Sequence, residues 1–385
     1  MKYLLPLLLT LASCQSSDLI NYSTDKKLIE NKTELIELYN NDGQSRILIA
    51  PAYQGRVLAS TLNCTKGQTI GWLNRTELTK DTVHGGQVGG EDRLWFGPLG
   101  SQFSFYYQQI EPIHEDNWLV PDSFNNVAYE VIEQSNEHVK MKQDFLLQNF
   151  VGTEFDIEVY REVELLQPDN LNSYLEAEIP EGLNAVAFES RHQMINSGDS
   201  TWRKETGLVG LWSLGMFPGT DETTVYVPLK YDLSLSDIFQ YFEIDNTDIL
   251  SIKDKLLSFK ADGLLRSKFG IPSQYAPELI ASYSKDRKLL TVVQYQQTED
   301  SLYYNGHVSV QENPYDGEIV TSYNNGPLDQ TYAEERTFYE LESQSAMREL
   351  APGDTLTHYH RTFHFSGEFK DLKELAKRIG IQLGN

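Results

Sequence analysis

Apolar and polar residues alternate along much of the chain between residues 127 and 195. The segments 127–132, 139–145, 155–165 and 185–195 all show this period of two. Successive side chains of an extended chain point to opposite faces, so the period is typical of antiparallel strands with one buried face. Further strands are predicted at 46–50, 56–62, 174–179, 289–295, 336–343 and 355–365.

Two other segments complete the fold prediction. Residues 208–218 are apolar on both faces, which indicates a fully buried strand, and residues 369–379 have the spacing of an amphipathic helix. Many strands separated by turn signals, without alternating helices, predict an all-β sandwich or barrel. We interpret residues 34–385 as one large β domain that ends in a short helix.

The N-terminus has the features of an export signal. Lys2 precedes a short apolar run, and small residues lead to Cys14. The run is too short to span a membrane. Leu11-Ala-Ser-Cys14 resembles a bacterial lipobox, so we predict a lipoprotein signal over 1–14, a lipid on Cys14 and a flexible tether over 15–33. The predicted location is the cell envelope, on its periplasmic or outer-membrane face; a plainly cleaved signal is the alternative.

Composition restricts the classes of partner. The net charge of −24 disfavours nucleic acid, because an acidic chain repels phosphate backbones. The sequence shows no phosphate-binding loop, nucleophile elbow, zinc signature or dinucleotide fingerprint, so no cofactor and no metal are predicted.

Charged and aromatic residues concentrate between glycines at 89–100. Glu91, Asp92, Arg93 and Trp95 lie where an extended segment enters a glycine-rich turn. An indole face for stacking and charged groups for hydrogen bonding suit a hydroxyl-rich ligand. The alternative is a structural Asp–Arg ion pair with Trp95 in the core, and such pairs are common.

Histidines recur on the predicted strand 355–365. His358, His360 and His364 share one face, and aromatic residues share the other. If the aromatic face is the core, the histidine face lines a concave or solvent-facing surface. Acid–base or hydrogen-bonding roles towards hydroxyl groups are favoured over metal binding, since a third ligand at fixed spacing is missing. The alternative is a surface strand whose histidines have no functional role.

Two glutamates, one histidine and one lysine are further candidates for the functional site. Glu340 and Glu342 share a face of strand 336–343, where one could act as a general base. His192 lies in an apolar setting, for which a hydrogen-bonded core histidine is the default. Lys268 could bind a carboxylate or a ligand anion. For both glutamates and for Lys268, an ordinary surface position is the alternative.

Several segments together resemble a known group of proteins, uncharacterised lipoproteins of gut and marine Bacteroidetes. That group is similar to the galactose mutarotase-like, or aldose 1-epimerase-like, superfamily, and the resemblance spans about residues 36–366. It implies a β-supersandwich with a sugar bound on the concave face of a sheet. The segments that carry it are 89–98, 190–202, 313–317, 339–343 and 357–363.

The resemblance also implies roles for individual residues. Arg93 matches the arginine that binds sugar hydroxyls, His192 the general acid, and Glu342 or Glu340 the general base that opens the pyranose ring. The chain lacks the histidine-proline segment usual on a middle strand of mutarotases. The resemblance therefore supports the fold more strongly than it supports the reaction. The predicted substrate-binding residues are Glu91, Asp92, Arg93, Trp95, Lys268, Glu340, His358 and His360.

We therefore expect a membrane-anchored, carbohydrate-active protein. It would bind a mono- or oligosaccharide and perform acid–base chemistry on it, as an epimerase, lyase or hydrolase. One alternative is a glycan-binding lipoprotein without catalysis, and another is a structural envelope protein that binds no sugar.

Overall fold

Three antiparallel sheets form the framework of the fold. The computed structural model describes residues 21–384 apart from 110, 126, 243–247, 301, 328 and 330. The strands are β1 Ile36–Tyr39, β2 Arg46–Ala50, β3 Arg56–Thr61, β4 Arg93–Gly97, β5 Glu130–Gln134, β6 His138–Gln148, β7 Glu154–Leu165, β8 Asn184–Asn196, β9 Gly210–Pro218, β10 Thr223–Pro228, β11 Phe239–Gln240, β12 Leu250–Lys253, β13 Leu256–Lys260, β14 Ser267–Pro272, β15 Leu279–Ser284, β16 Leu289–Tyr295, β17 Glu318–Asn324, β18 Phe338–Gln344 and β19 Thr355–Ser366. The helices are α1 Tyr22–Glu30, α2 Arg75–Leu78, α3 Asp122–Asn125, α4 Leu171–Leu175 and α5 Phe369–Arg378.

The strands are arranged in sheets of three, ten and six strands. The small sheet has the order β1-β2-β3. The ten-stranded sheet has the order β12-β13-β10-β15-β16-β19-β8-β7-β6-β5, and the six-stranded sheet the order β11-β14-β17-β18-β9-β4. Alternation decides which face of each strand is buried: in β7, Phe155, Ile157 and Val159 are buried, whereas Glu154 and Asp156 are exposed.

The two large sheets pack face to face. Side chains meet across the gap at several points: Ser213 of β9 contacts His192 of β8, and the Tyr339 hydroxyl of β18 bonds Ser282 of β15. Apolar residues of both sheets form one continuous core. The all-β antiparallel prediction is confirmed, and so is the C-terminal helix.

The C-terminal helix covers the outer face of the ten-stranded sheet. Leu372 and Leu375 of α5 are buried in one cluster with Phe363 and Phe365 of β19. The helix is too short to be stable by itself, so this apolar contact holds it. Phe363 and Phe365 are therefore buried beneath α5, whereas the histidines of β19 are buried on its opposite face.

Two predicted segments differ from the structure. Tyr22–Glu30, within the predicted tether 15–33, forms α1, because Asn21 caps the helix and Tyr22 and Ile29 are buried against the small sheet. The predicted strand 174–179 is instead the end of α4 followed by a turn. Cys14 and the rest of residues 1–20 lie outside the described part. Among the described helices, none has the length and apolar character needed to cross a membrane.

Candidate functional site

A cavity of about 630 Å³ lies on the face of the six-stranded sheet that is turned away from the ten-stranded sheet. On β9, Trp212, Leu214 and Met216 line this cavity, while Ser213 between them points to the other sheet. The volume lies within the range usual for small-molecule sites. Aromatic side chains dominate the lining: Trp95, Tyr107, Trp118, Trp212, Tyr241, Phe242, Tyr323 and Phe338.

A buried carboxylate lies at the floor of the cavity. Glu342 is 0 % exposed and accepts hydrogen bonds from Lys268 Nζ at 3.0 Å, Trp212 Nε1 at 2.9 Å and Thr321 Oγ1 at 2.6 Å. These donors come from β14, β9 and β17, so four adjacent strands meet at one side chain. A buried charge is tolerated only when paired and hydrogen-bonded in this way.

Glu340 lines the cavity beside this carboxylate. It lies two residues before Glu342 on the same face of β18, and Arg93 approaches its Oε1 at 3.3 Å. Burial, and then the negative charge of Glu342, raise the pKa of Glu340 to about 7, against the opposing effect of Arg93 and Lys268. A carboxyl group with this pKa can both donate and accept a proton near neutral pH, as a general acid or base must.

Arg93 is held from two sides. Its guanidinium group lies 4.0 Å from the ring centre of Trp95 and also pairs with Glu340. The two residues are two positions apart on β4, so alternation turns both towards the cavity. A cation stacked on an indole is fixed in orientation, which suits hydrogen bonding to ligand hydroxyls.

Tyr241 and His307 also line the cavity and belong to a second group of titratable side chains. The Tyr241 hydroxyl donates to Glu318, and the ring of Tyr241 lies 4.7 Å from that of His307. Burial raises the pKa of Glu318 to about 7 and lowers the pKa of His307. Sequence reasoning missed these residues, because Tyr241 and His307 belong to irregular segments without periodic apolar residues.

The structure thus brings five of the predicted residues together. Arg93, Trp95, Lys268 and Glu340 line the cavity, and Glu342 lies directly beneath it. Glu91, Asp92, His192, His358 and His360 are not among the lining residues and lie in the interior instead.

His192 lies between the two large sheets. It is 0 % exposed, its ring contacts Ser213 at 3.1 Å, and the Arg161 guanidinium lies 3.3 Å away. Burial, together with the charge of Arg161, holds the pKa of His192 well below its usual value. Glu342 faces the cavity on the opposite side of the six-stranded sheet. The structure therefore does not bring His192 and Glu342 together as an acid–base pair.

Asp92 and Glu91 belong to the same buried layer. Asp92 forms an ion pair with Arg161 and accepts a hydrogen bond from Ser190. Glu91 contacts His364 at 3.0 Å. Asp92 thus contacts β7 and β8, Glu91 contacts β19, and neither carboxylate is among the residues that line the cavity.

The histidine face of β19 points into this layer, not to a concave or solvent-facing surface as the sequence analysis expects. His358 and His360 both contact Ser343 Oγ, at 2.9 and 2.8 Å. The cause is the packing of the two large sheets, which buries the histidine face, while α5 covers Phe363 and Phe365 on the other face. Burial lowers the pKa of His358 to about 3 and that of His360 to about 4. Within the described ranges, no three His, Cys, Asp or Glu side chains are grouped as a metal site requires.

The chain belongs to a family whose model carries the description "Family of unknown function (DUF6786)" and matches residues 20–384. The comparison with curated proteins finds no match.

Several solved structures share the fold of this chain. A candidate aldose 1-epimerase from Escherichia coli K12 superposes with a TM-score of 0.51 at 10% identity, covering 87% of this chain and 99% of that one. A protein of Synechocystis sp. PCC 6803 gives 0.52 at 13% identity, with 88% and 97% covered. A galactose mutarotase-like protein from Lactobacillus casei ATCC 334 gives 0.50 at 12%, with 86% and 100% covered. At these identities the comparisons establish the fold alone, and the predicted galactose mutarotase-like fold is confirmed.

The buried histidines predict a pH dependence of stability. His360 has a pKa of about 4 in the folded chain and an ordinary value near 6.5 when unfolded. Its neutral form favours folding above pH 6.5, and this contribution is lost as the pH falls towards 4. The free energy of unfolding of wild type should fall between pH 7 and pH 5. That of His360→Asn should fall by about 2 kcal/mol less, because the variant lacks this buried histidine.

Urea denaturation at both pH values measures this difference. His138→Asn is the control, because His138 on β6 keeps a side-chain exposure of 28%. An equal fall for wild type and His360→Asn would contradict the buried, uncharged histidine.

Proposed function

We propose that this chain is a carbohydrate-active protein that binds a saccharide in the cavity of the six-stranded sheet and performs acid–base chemistry on it with Glu340. The observation that carries the proposal is the position of Glu340: a cavity-lining carboxyl group whose pKa is raised to about 7, beside a fixed arginine and aromatic walls. Perturbed carboxyl groups in clefts are typical of catalytic sites.

The lining suits a sugar ring. The apolar faces of pyranose carbons pack on aromatic rings such as Trp95 and Trp212, which cross at 76° with centres 5.7 Å apart. The hydroxyl groups require donors and acceptors at the ring edge, and Arg93, Lys268 and Glu340 supply both kinds.

The proposed reaction is proton transfer at the anomeric centre. Glu340, ionised, accepts the proton of the anomeric hydroxyl, the bond between the anomeric carbon and the ring oxygen breaks, and the ring oxygen takes a proton from a second group. Reclosure on the other face of the carbonyl gives the other anomer. His307 lines the same cavity and, in its protonated form, is our candidate for the second group; its lowered pKa makes that form less populated but a stronger acid.

Glu342 has a positioning role in this scheme. Its carboxylate holds Lys268 and the Trp212 indole at the cavity floor, and its charge helps to raise the pKa of Glu340. Two solved proteins with this fold are named as a candidate aldose 1-epimerase and a galactose mutarotase-like protein, which supports a sugar as the ligand class.

The Glu340→Gln variant tests the catalytic assignment. Turnover on a panel of aldoses, measured by polarimetry and by NMR exchange between anomers, should fall about 10²–10⁴-fold, because a proton acceptor is lost while the shape is kept. Binding of the same sugars, measured by calorimetry, should persist. Glu158→Gln, on the solvent face of β7, is the matched control and should turn over normally.

Normal turnover by Glu340→Gln would overturn the assignment. Sugar binding by wild type without turnover of any aldose would favour the second candidate, a glycan-binding protein, for which the aromatic lining is the supporting observation.

We also propose that a lipid on Cys14 holds the chain at a membrane of the cell envelope. The support is the sequence alone: Lys2, the short apolar run and Leu11-Ala-Ser before Cys14. After expression in Escherichia coli, mass spectrometry of the mature protein should find Cys14 as an acylated N-terminus. The Cys14→Ser variant should lack the lipid mass and leave the membrane fraction. An unmodified N-terminus beyond Cys14 in the wild type would contradict the anchor.

A further inference from the structure

Cationic side chains concentrate at the cavity although the chain as a whole carries a net charge of −24. Arg93, Arg266 and Lys268 line it, whereas Glu340 is the one carboxyl group among the described lining residues. Such a local excess attracts anions, because a cleft with low-dielectric walls focuses the field of the charges that line it.

Two of these cations already have acidic partners. Arg93 pairs with Glu340, and Lys268 pairs with Glu342. Within the part of the chain that the structure describes, no carboxylate forms an ion pair with Arg266. Among the described residues, Arg266 is therefore the cation at this site whose charge is available to a ligand.

Local contacts fix the Arg266 guanidinium group in place. Its Nε donates to the carbonyl oxygen of Gly326 at 3.0 Å, and the group lies 5.9 Å from the ring centres of Phe242 and Tyr323. The side chain is half-buried. The bond at Nε leaves the terminal nitrogens, with their four N–H groups, for another partner.

The neighbouring carboxyl groups neutralise little of this charge. Burial raises the pKa of both Glu340 and Glu318 to about 7, so each carries only part of a negative charge at neutral pH. The three cations Arg93, Arg266 and Lys268 therefore exceed the negative charge of the carboxyl groups around them.

We infer that the saccharide bound in this cavity carries a carboxylate, as a uronic acid does, and that Arg266 binds that carboxylate through its terminal nitrogens. The inference rests on the proposed function. The planar guanidinium fork matches a carboxylate in geometry and charge, whereas a neutral sugar would leave the charge of Arg266 unmatched.

The test uses sugar pairs that differ only at the terminal carbon: galactose and galacturonate, glucose and glucuronate, mannose and mannuronate. Calorimetry at low salt should show, for at least one pair, that the acid binds about tenfold or more tightly than the neutral sugar. Arg266→Gln should abolish this advantage, and Arg266→Lys should keep part of it, since the charge stays but the fork is lost. Arg203→Gln removes an exposed arginine outside the cavity lining and should behave as wild type.

The outcomes separate the two proposals. Neutral sugars that bind or turn over as well as their acids, or an acid advantage that survives in Arg266→Gln, would overturn this inference and leave the proposed function intact. The 6-phosphates of the same sugars binding more tightly than the uronates would overturn the carboxylate assignment. Failure of every sugar to bind a protein whose circular dichroism shows the folded β spectrum would count against both proposals.

Discussion

The Glu342 carboxylate is the contact on which the cavity depends. A carboxylate with no exposed surface is costly to bury unless each oxygen has a donor. Lys268, Trp212 and Thr321 meet this requirement from three different strands. One side chain thereby fixes the relative position of four adjacent strands and places a lysine and an indole at the floor of the cavity.

The same contact shapes the chemistry above it. Because side chains two apart on a strand share a face, Glu340 lies beside Glu342, and the negative charge of Glu342 makes ionisation of Glu340 more costly. Arg93 works in the opposite direction. The balance leaves Glu340 able to exchange a proton near neutral pH.

The face of the six-stranded sheet that packs on the ten-stranded sheet also carries polar residues, but these have a structural role. Asp92 with Arg161 and Glu91 with His364 form a layer that is closed to solvent between the two large sheets. Partners in such a layer must match in position, so it favours one alignment of the sheets over others. Sheet alternation thus separates charged residues that are neighbours in sequence into a structural set and a ligand-facing set.

The sequence predicts the strands well where one face is buried. Segments 139–145 and 155–165 alternate clearly, and the structure has the strands β6 and β7 there, with Met141 and Ile157 buried. The shared face of Glu340 and Glu342 follows from the same period of two. These features depend only on local spacing, and for that reason the order of residues along the chain is enough to predict them.

What the sequence could not predict depends on tertiary contacts. The histidines of β19 face the interior because the six-stranded sheet packs on that side, while α5 covers Phe363 and Phe365 on the other, and no local pattern records that packing. In 92–95, alternation places Asp92 on one face and Arg93 and Trp95 on the other, but only the packing of the two large sheets shows that the second face is the one at the cavity. His307 and Tyr241 come to the cavity from irregular segments that lack any period.

The central claim is that Glu342 sets the proton affinity of Glu340, and carboxyl carbon NMR measures it most directly. Titration of protein with ¹³C-labelled glutamate, with the Glu340 signal assigned by its loss in Glu340→Gln, should give wild-type Glu340 a pKa of about 7. In Glu342→Gln this pKa should fall, because the neighbouring negative charge is gone while burial remains. A Glu340 signal that titrates at the ordinary value near 4.5, or whose pKa is unchanged in Glu342→Gln, would contradict the account.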